Sequence, residues 1–135
     1  MAKYDKFFIK LAENYSELSF AKRKKVGAVI VKENSVISDG YNGTPSGYDN
    51  NCEDPHGNTF WYVLHAEANA ILKTAKNNQN CKDSTLYVTM SPCKECAKLI
   101  IQSGIKKVIY RDLYRDTTGI DFLGTIGIEC VKIDV

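Results

Sequence analysis

Two short runs, His65-Ala66-Glu67 and Pro92-Cys93-Lys94-Glu95-Cys96, restrict how this chain can fold more than any other feature. One histidine and two cysteines are ligands of the kind zinc takes. Three such ligands leave one tetrahedral position for water, the arrangement of a catalytic site rather than a closed structural one. The fold must therefore bring two distant segments together. Glu67, two positions after the histidine, is placed to move the protons of that water.

The surrounding pattern puts both segments at helix starts. Tyr4, Phe7, Phe8, Leu11, Tyr15 and Leu18 recur at helical spacing and predict an opening amphipathic helix. Runs 26–31 and 36–41 are β-prone and read as a hairpin turning near Asn34. Residues 42–58 are rich in Gly, Asn, Asp and Pro and predict a long loop of the functional kind. Alanine-rich 65–75 predicts a helix and 85–90 a strand. Ser91 as cap and Pro92 as first helical residue predict a helix to Ser103, ended by Gly104. Strands at 107–110 and 128–133 flank a short helix at 118–123. The order α-β-β-α-β-α-β-α-β predicts an α/β fold, a sheet with helices on both faces.

In this arrangement His65 and Cys93 each open a helix, and Cys96 shares a face with Cys93. Helix N-termini carry partial positive charge and lower thiol pKa, which favours thiolate ligands. Taken alone, Cys-x-x-Cys also fits a redox motif or two buried small residues, and His65 a capped core histidine. The strand before Ser91-Pro92, and the second helix start with His and Glu two apart, favour zinc.

Bulk properties narrow the class. The length of 135 residues predicts a single domain over 1–135. At 44% apolar, the chain has enough material for a core, which argues against disorder. A net charge of +2 speaks against a nucleic-acid partner, the run Lys22-Arg23-Lys24-Lys25 being the one basic cluster. No run approaches the about 18 apolar residues of a membrane span, so no membrane partner is expected. Lys3, Asp5 and Lys6 break up the N-terminus in a way no secretory signal does. Five unevenly spaced cysteines fit a reducing compartment better than a disulfide framework. Cys81 and Cys130 read as small buried residues.

Several stretches resemble the deoxycytidylate (dCMP) deaminases of the cytidine deaminase superfamily. They are 26–31, Gly40-Tyr41-Asn42-Gly43-Thr44-Pro45-Ser46-Gly47, 65–71, 85–89 and 91–106. The zinc motif marks the superfamily; the Gly-Tyr-Asn-Gly loop points to deoxycytidylate. The resemblance implies a cytidine deaminase-like three-layer α/β/α sandwich with a mixed five-stranded central sheet. It implies one catalytic Zn²⁺ per subunit, held by His65, Cys93 and Cys96. The reaction it implies is dCMP plus water giving dUMP and ammonia, with Glu67 as proton shuttle. Viral members are similarly short; the expected location is cytoplasmic, the host cytoplasm for a viral chain.

It also implies substrate contacts. The Ala66 N–H would hold the pyrimidine O2, carbonyls near Ser91 the exocyclic amine, and Asn42 the sugar 3′-hydroxyl. A left-handed turn position before Gly43 is the alternative for Asn42, but its place in the matched loop favours the sugar contact. A monophosphate needs a cation, for which Arg23 and Lys25 are candidates against a plain solvated run. Tyr114 would close over the nucleotide, or be an ordinary core or surface tyrosine. Many members are activated by dCTP with Mg²⁺ and inhibited by dTTP. Tyr41, Gly43, Thr44, Pro45 and Gly47 fall in the segment similar to the effector-wrapping loop, though a Gly/Pro turn explains them too. The family is typically a homo-oligomer, often a hexamer. Some relatives hold a second zinc; Cys52 and His56 alone make no closed site, so one ion is expected. Three other functions stay open: a bifunctional dCMP/dCTP deaminase, a tRNA adenosine deaminase, and a non-catalytic zinc-binding module.

Overall fold

The computed structural model describes residues 3–135. Helix α1 spans Asp5–Ser16, followed by strands β1 (Gly27–Lys32) and β2 (Ser35–Tyr41). Then come α2 (Ala66–Lys76), β3 (Thr85–Met90), α3 (Lys94–Ser103), β4 (Lys107–Asp112), α4 (Thr118–Thr125) and β5 (Glu129–Lys132). The strand order is β2-β1-β3-β4-β5. β1 is antiparallel to β2 and β3, whereas β3, β4 and β5 run parallel. This is the expected mixed five-stranded sheet.

Strand alternation decides which helix covers which face. Val29, Val31, Tyr87 and Ile109 point one way and pack on Phe8, Ile9 and Ala12 of α1. Ala28, Ile30, Leu86, Val88, Val108 and Tyr110 point the other way. They meet Ala66 and Ala70 of α2, Ala97 and Ile100 of α3, and Leu123 of α4. Two apolar clusters on opposite faces thus make the three layers. Parallel pairing of β3, β4 and β5 demands crossovers, which α3 and α4 supply on one face.

The hairpin turns at Glu33 and Asn34, at φ of 52° and 62°, the left-handed conformation that two-residue hairpins favour. The expected stripe of α1 is rotated. Phe7 and Leu18 are exposed, while Phe8, Ile9, Ala12 and Asp5 are buried. Docking on β1 sets that face: a Cβ at Gly27 would lie 1.9 Å from the Ala12 carbonyl oxygen, so backbone meets backbone there. The buried Asp5 is satisfied, since the Tyr87 hydroxyl donates to it at 2.7 Å.

The start of α3 also departs from expectation. Cys93 is its cap and Lys94 its first residue, so Ser91 and Pro92 lie outside the helix. Ser91 instead prolongs the β3–β4 pairing, its N–H donating to Asp112 at 2.9 Å and its hydroxyl accepting from the Tyr114 N–H at 2.7 Å. Gly104 ends the helix at φ 88°, as predicted. The loop after β2 runs on to α2, pinned by bridges between Gly43 and Leu64 and between Glu53 and Thr59. Among the described residues no helix is long and apolar enough to cross a membrane.

Candidate active site

His65 caps α2 and Cys93 caps α3, so two helix N-termini converge on one spot. Each cap carbonyl accepts the first helical bond, from Asn69 at 3.0 Å and from Ala97 at 2.9 Å. The Asn69 side chain donates to the Tyr41 carbonyl at 2.8 Å, tying α2 to the end of β2. Close approach makes this seat possible: a Cβ at Gly40 would stand 2.6 Å from the Ala66 carbonyl oxygen.

The predicted ligands meet. His65 Nδ1 lies 3.3 Å from Cys96 Sγ and 3.5 Å from Cys93 Sγ, and all three ligand atoms fall within 4.8 Å of one another. A tetrahedral zinc with ordinary bond lengths holds nitrogen and sulfur about 3.6 Å apart, so the donor set fits that ion. Among the described residues this is the one cluster of three or more metal-ligating side chains, and Glu67 stands outside it. Cys52 and His56 join no such cluster.

Without an ion the two cysteines divide the roles, Cys93 favouring the thiolate and Cys96 the thiol. A hydrogen bond from Cys96 pulls the Cys93 thiol down to about 3, and the same bond together with burial pushes Cys96 up. The bond with Cys93 raises His65. Glu67 is only 4% exposed, and burial lifts its carboxyl to about 7. A group near neutrality is suited to taking and returning a proton.

The cluster opens into a cavity of about 300 Å³. Its wall includes His65, Ala66, Glu67, Ser91 and Cys93 together with Arg23, Lys24, Asn42, Glu53 and Tyr114. Of the expected substrate residues, Lys25 alone is not in this wall; its neighbour Lys24 is. Residues 21–26 form no strand, so alternation does not decide which side chains face inward. Lys24 also reaches Asp112 at 3.8 Å, and Arg111 holds the same carboxylate at 2.7 Å. Asn42 is not in a left-handed turn. Its oxygen accepts from the Val26 N–H at 2.9 Å and its amide donates to the Lys24 carbonyl at 2.8 Å, which fixes the cationic segment against β2. Tyr41, Gly43, Thr44, Pro45 and Gly47 lie outside the cavity wall, Tyr41 as the last residue of β2 and the others on the segment leading away from it.

Two residues that sequence reasoning passed over matter here. Glu53 is a buried acid in the cavity wall, hidden in a loop full of acidic and amide residues with no pattern to single it out. Gly119 lets α4 sit against the turn before α3: a Cβ there would come within 2.4 Å of the Pro92 oxygen and 2.7 Å of the Cys93 oxygen.

Residues 2–112 match the model of the cytidine and deoxycytidylate deaminase zinc-binding region. The deoxycytidylate deaminase of Enterobacteria phage T4 is 37% identical over 152 residues, covering 81% of this chain and 79% of that one. The human deoxycytidylate deaminase is 39% identical over 123 residues, covering 84% and 68%. A Caenorhabditis elegans relative is 43% identical over 109 residues but only 54% of it is covered, so this chain spans about half its length. The crystal structure of the dCMP deaminase from cyanophage S-TIM5, in complex with dCMP and dUMP, superposes with a TM-score of 0.94. It is 46% identical, with 98% of each chain covered.

Proposed function

Because the chain belongs to the cytidine and deoxycytidylate deaminase zinc-binding family, we propose that it converts dCMP and water to dUMP and ammonia. One observation carries the reading: a cluster of three zinc-type ligands, two of which (His65 and Cys93) line a cavity together with the buried carboxyl of Glu67, Arg23 and Lys24. His65, Cys93 and Cys96 would hold the ion. When bound, zinc lowers the pKa of a water ligand towards neutrality and so makes a nucleophile available. Glu67 takes the proton of the attacking water and gives it to ring N3 as C4 becomes tetrahedral. It then takes the second proton of that water, from the hydroxyl now on C4, and delivers it to the amine, which leaves as ammonia as the C4 carbonyl forms. The Ala66 N–H, at the positive end of α2, is assigned to O2, and the backbone near Ser91 to the amine. Asn42 is assigned to the sugar and Tyr114 to closing over the nucleotide. The phosphate falls to Arg23 with Lys24, which takes the place given to Lys25.

The same reading extends to regulation. dCTP with Mg²⁺ would activate and dTTP inhibit, at Tyr41, Gly43, Thr44, Pro45 and Gly47. In support, a Cβ at Gly43 or Gly47 would meet nothing within 4 Å, so a ligand has room to approach the backbone on that side of the segment, although the Gly43 N–H itself is committed to the Leu64 carbonyl at 3.0 Å. The assembly is proposed as a homo-oligomer, a hexamer by family resemblance, built from one domain per chain. Five free cysteines support a reducing, cytoplasmic setting.

Ammonia release from dCMP, dCTP, cytidine and a tRNA hairpin, with and without dCTP and dTTP, tests these statements together. Turnover of dCMP alone is the expected result. Activity confined to the hairpin, or none with any substrate, would reject the reading. Equal rates with and without both nucleotides would reject the regulation.

A further inference from the structure

The outer face of α1 carries an apolar seam with nothing on it. Tyr4, Phe7, Leu11, Asn14 and Leu18 follow one another by steps of three and four, the repeat of a helix face that packs on another helix. Phe7 is 62% exposed, Leu18 55% and Tyr4 44%, and Leu11 is half-buried. Leu18 stays in line because its N–H donates to the Tyr15 carbonyl at 3.0 Å, which continues the last turn. The helix meets the sheet through Phe8, Ile9 and Ala12, so the seam is a separate apolar surface. The Tyr15 hydroxyl donates to Asp39, which turns the seam towards β2. Val36 of β2, 42% exposed and opposite Val31 in the hairpin, extends the patch on the same side of the sheet. Large side chains exposed together in this way mark an interaction face.

Charge identifies what covers it. Lys3, Lys6 and Lys10 lie towards the start of the helix, Glu13 and Glu17 at its end. Asp5, the acid of the first turn, is buried. The exposed charges therefore oppose the macrodipole, which favours acids at the start and bases at the end. A lone helix is weakened by that order, whereas a second copy laid antiparallel is held by it. About a two-fold axis near Leu11, Lys6 and Lys10 of one helix flank Glu17 and Glu13 of the other, and the same contact repeats at the opposite end. Parallel pairing would set lysine beside lysine and glutamate beside glutamate. Lys6, Lys10 and Glu17 are exposed and, among the described residues, take part in no ion pair within the chain. Glu13 is already held by Arg111, so Glu17 carries the contact.

We infer that α1 docks on α1 of a second copy of this chain, antiparallel about a two-fold axis, through Tyr4, Phe7, Leu11 and Leu18 with Glu17 set among the lysines. This rests on the homo-oligomer proposed above and names a surface that builds it. A two-fold contact of this kind makes a dimer, or joins two trimers into a hexamer. It lies on the face of the sheet away from α2 and α3, whose starts carry the metal ligands.

Sedimentation velocity of the full, zinc-loaded chain across a concentration series tests this. The wild type is expected to assemble. Phe7→Asp, at an exposed position where an acid suits the helix start, is expected to fall to half the wild-type mass or less. Should Phe7→Asp fail to fold by circular dichroism, Leu18→Asp is read in the same way. Glu17→Lys, and separately Lys6→Glu with Lys10→Glu, are each expected to weaken assembly by about 10-fold in Kd. Combining the three substitutions is expected to return Kd to within about threefold of the wild type. A wild type that stays monomeric would overturn the inference together with the homo-oligomer on which it rests; sedimentation of that monomer with vesicles of anionic phospholipid would give the face to a lipid surface instead. Assembly unchanged in both Phe7→Asp and Leu18→Asp would overturn the inference alone, the oligomer then being built through another surface. Charge variants that leave Kd unchanged, or that weaken assembly without recovery on combination, would overturn the antiparallel pairing.

Discussion

The Glu67 carboxyl, buried to 4% exposure two residues after the candidate metal ligand His65, is costly unless it works. Replacing Glu67 by glutamine keeps its volume and removes the titrating group. Glu67→Gln is expected to retain fold and zinc while losing about 10²- to 10⁴-fold in dCMP turnover, read by ammonia release beside metal analysis. Undiminished turnover would remove Glu67 from the mechanism. The cysteines make a second prediction. With the Cys93 thiol held down by its bond from Cys96, this group stays a thiolate through neutral pH in the zinc-stripped protein. Burial raises Cys130 to about 11, so its thiolate fraction falls tenfold for each pH unit below that. Alkylation followed by mass spectrometry is expected to modify Cys93 at a nearly constant rate over about pH 6 to 8, and Cys130 only towards the alkaline end. At this scale the ligands were legible because each motif is local: two helix starts, each with its own spacing. Glu53 was not, because its meaning lies in bonds to Lys22 and Arg23, some 30 positions away in the chain.

Helices reach the site only where backbones approach closely, and glycines mark those places. Gly119 is the sharpest case, since α4 rests on the carbonyl groups of Pro92 and Cys93. Gly119→Ala must push either α4 or the metal-binding turn, and is expected to lower stability by about 1–3 kcal/mol. Because Cys93 sits on that turn, zinc is also expected to be lost to a chelator faster than from the wild type. A Cβ at Gly124, in the same helix, would meet nothing within 4 Å, so Gly124→Ala is the control. It should stabilise by about 0.5–1 kcal/mol, as alanine does in a helix, with unchanged zinc retention. Urea unfolding with and without chelator separates the two. Element order followed from periodicity because two faces of the sheet impose period two and the helices 3.6. What periodicity missed was orientation. Tyr4, Phe7 and Leu18 fit a helical stripe as well as Phe8 and Ala12 do, and only the contact at Gly27 decides which side docks. Similarly, Ser91-Pro92 has the right chemistry to begin a helix, but pairing with β4 claims Ser91 first.

The molecule as a whole does not depend on its metal for a core. One apolar cluster lies between α1 and the sheet, on the face away from the ligand-bearing helices, and the other joins α2, α3 and α4 to the opposite face. Zinc would add a tie between the starts of α2 and α3. Binding to the folded chain alone adds stability that grows with the logarithm of free ion over Kd. At a thousandfold excess this is about 4 kcal/mol, or roughly 10 °C in Tm for a domain of this size. The stripped protein is therefore expected to unfold in one cooperative step at a clearly lower temperature, with its far-ultraviolet spectrum at room temperature preserved. Adding zinc should restore both Tm and turnover at one ion per chain. A second tightly held ion would reveal ligands beyond His65, Cys93 and Cys96. A stripped chain already unfolded at room temperature would mean that the two clusters cannot sustain the fold alone, and that the ion is structural as well as catalytic.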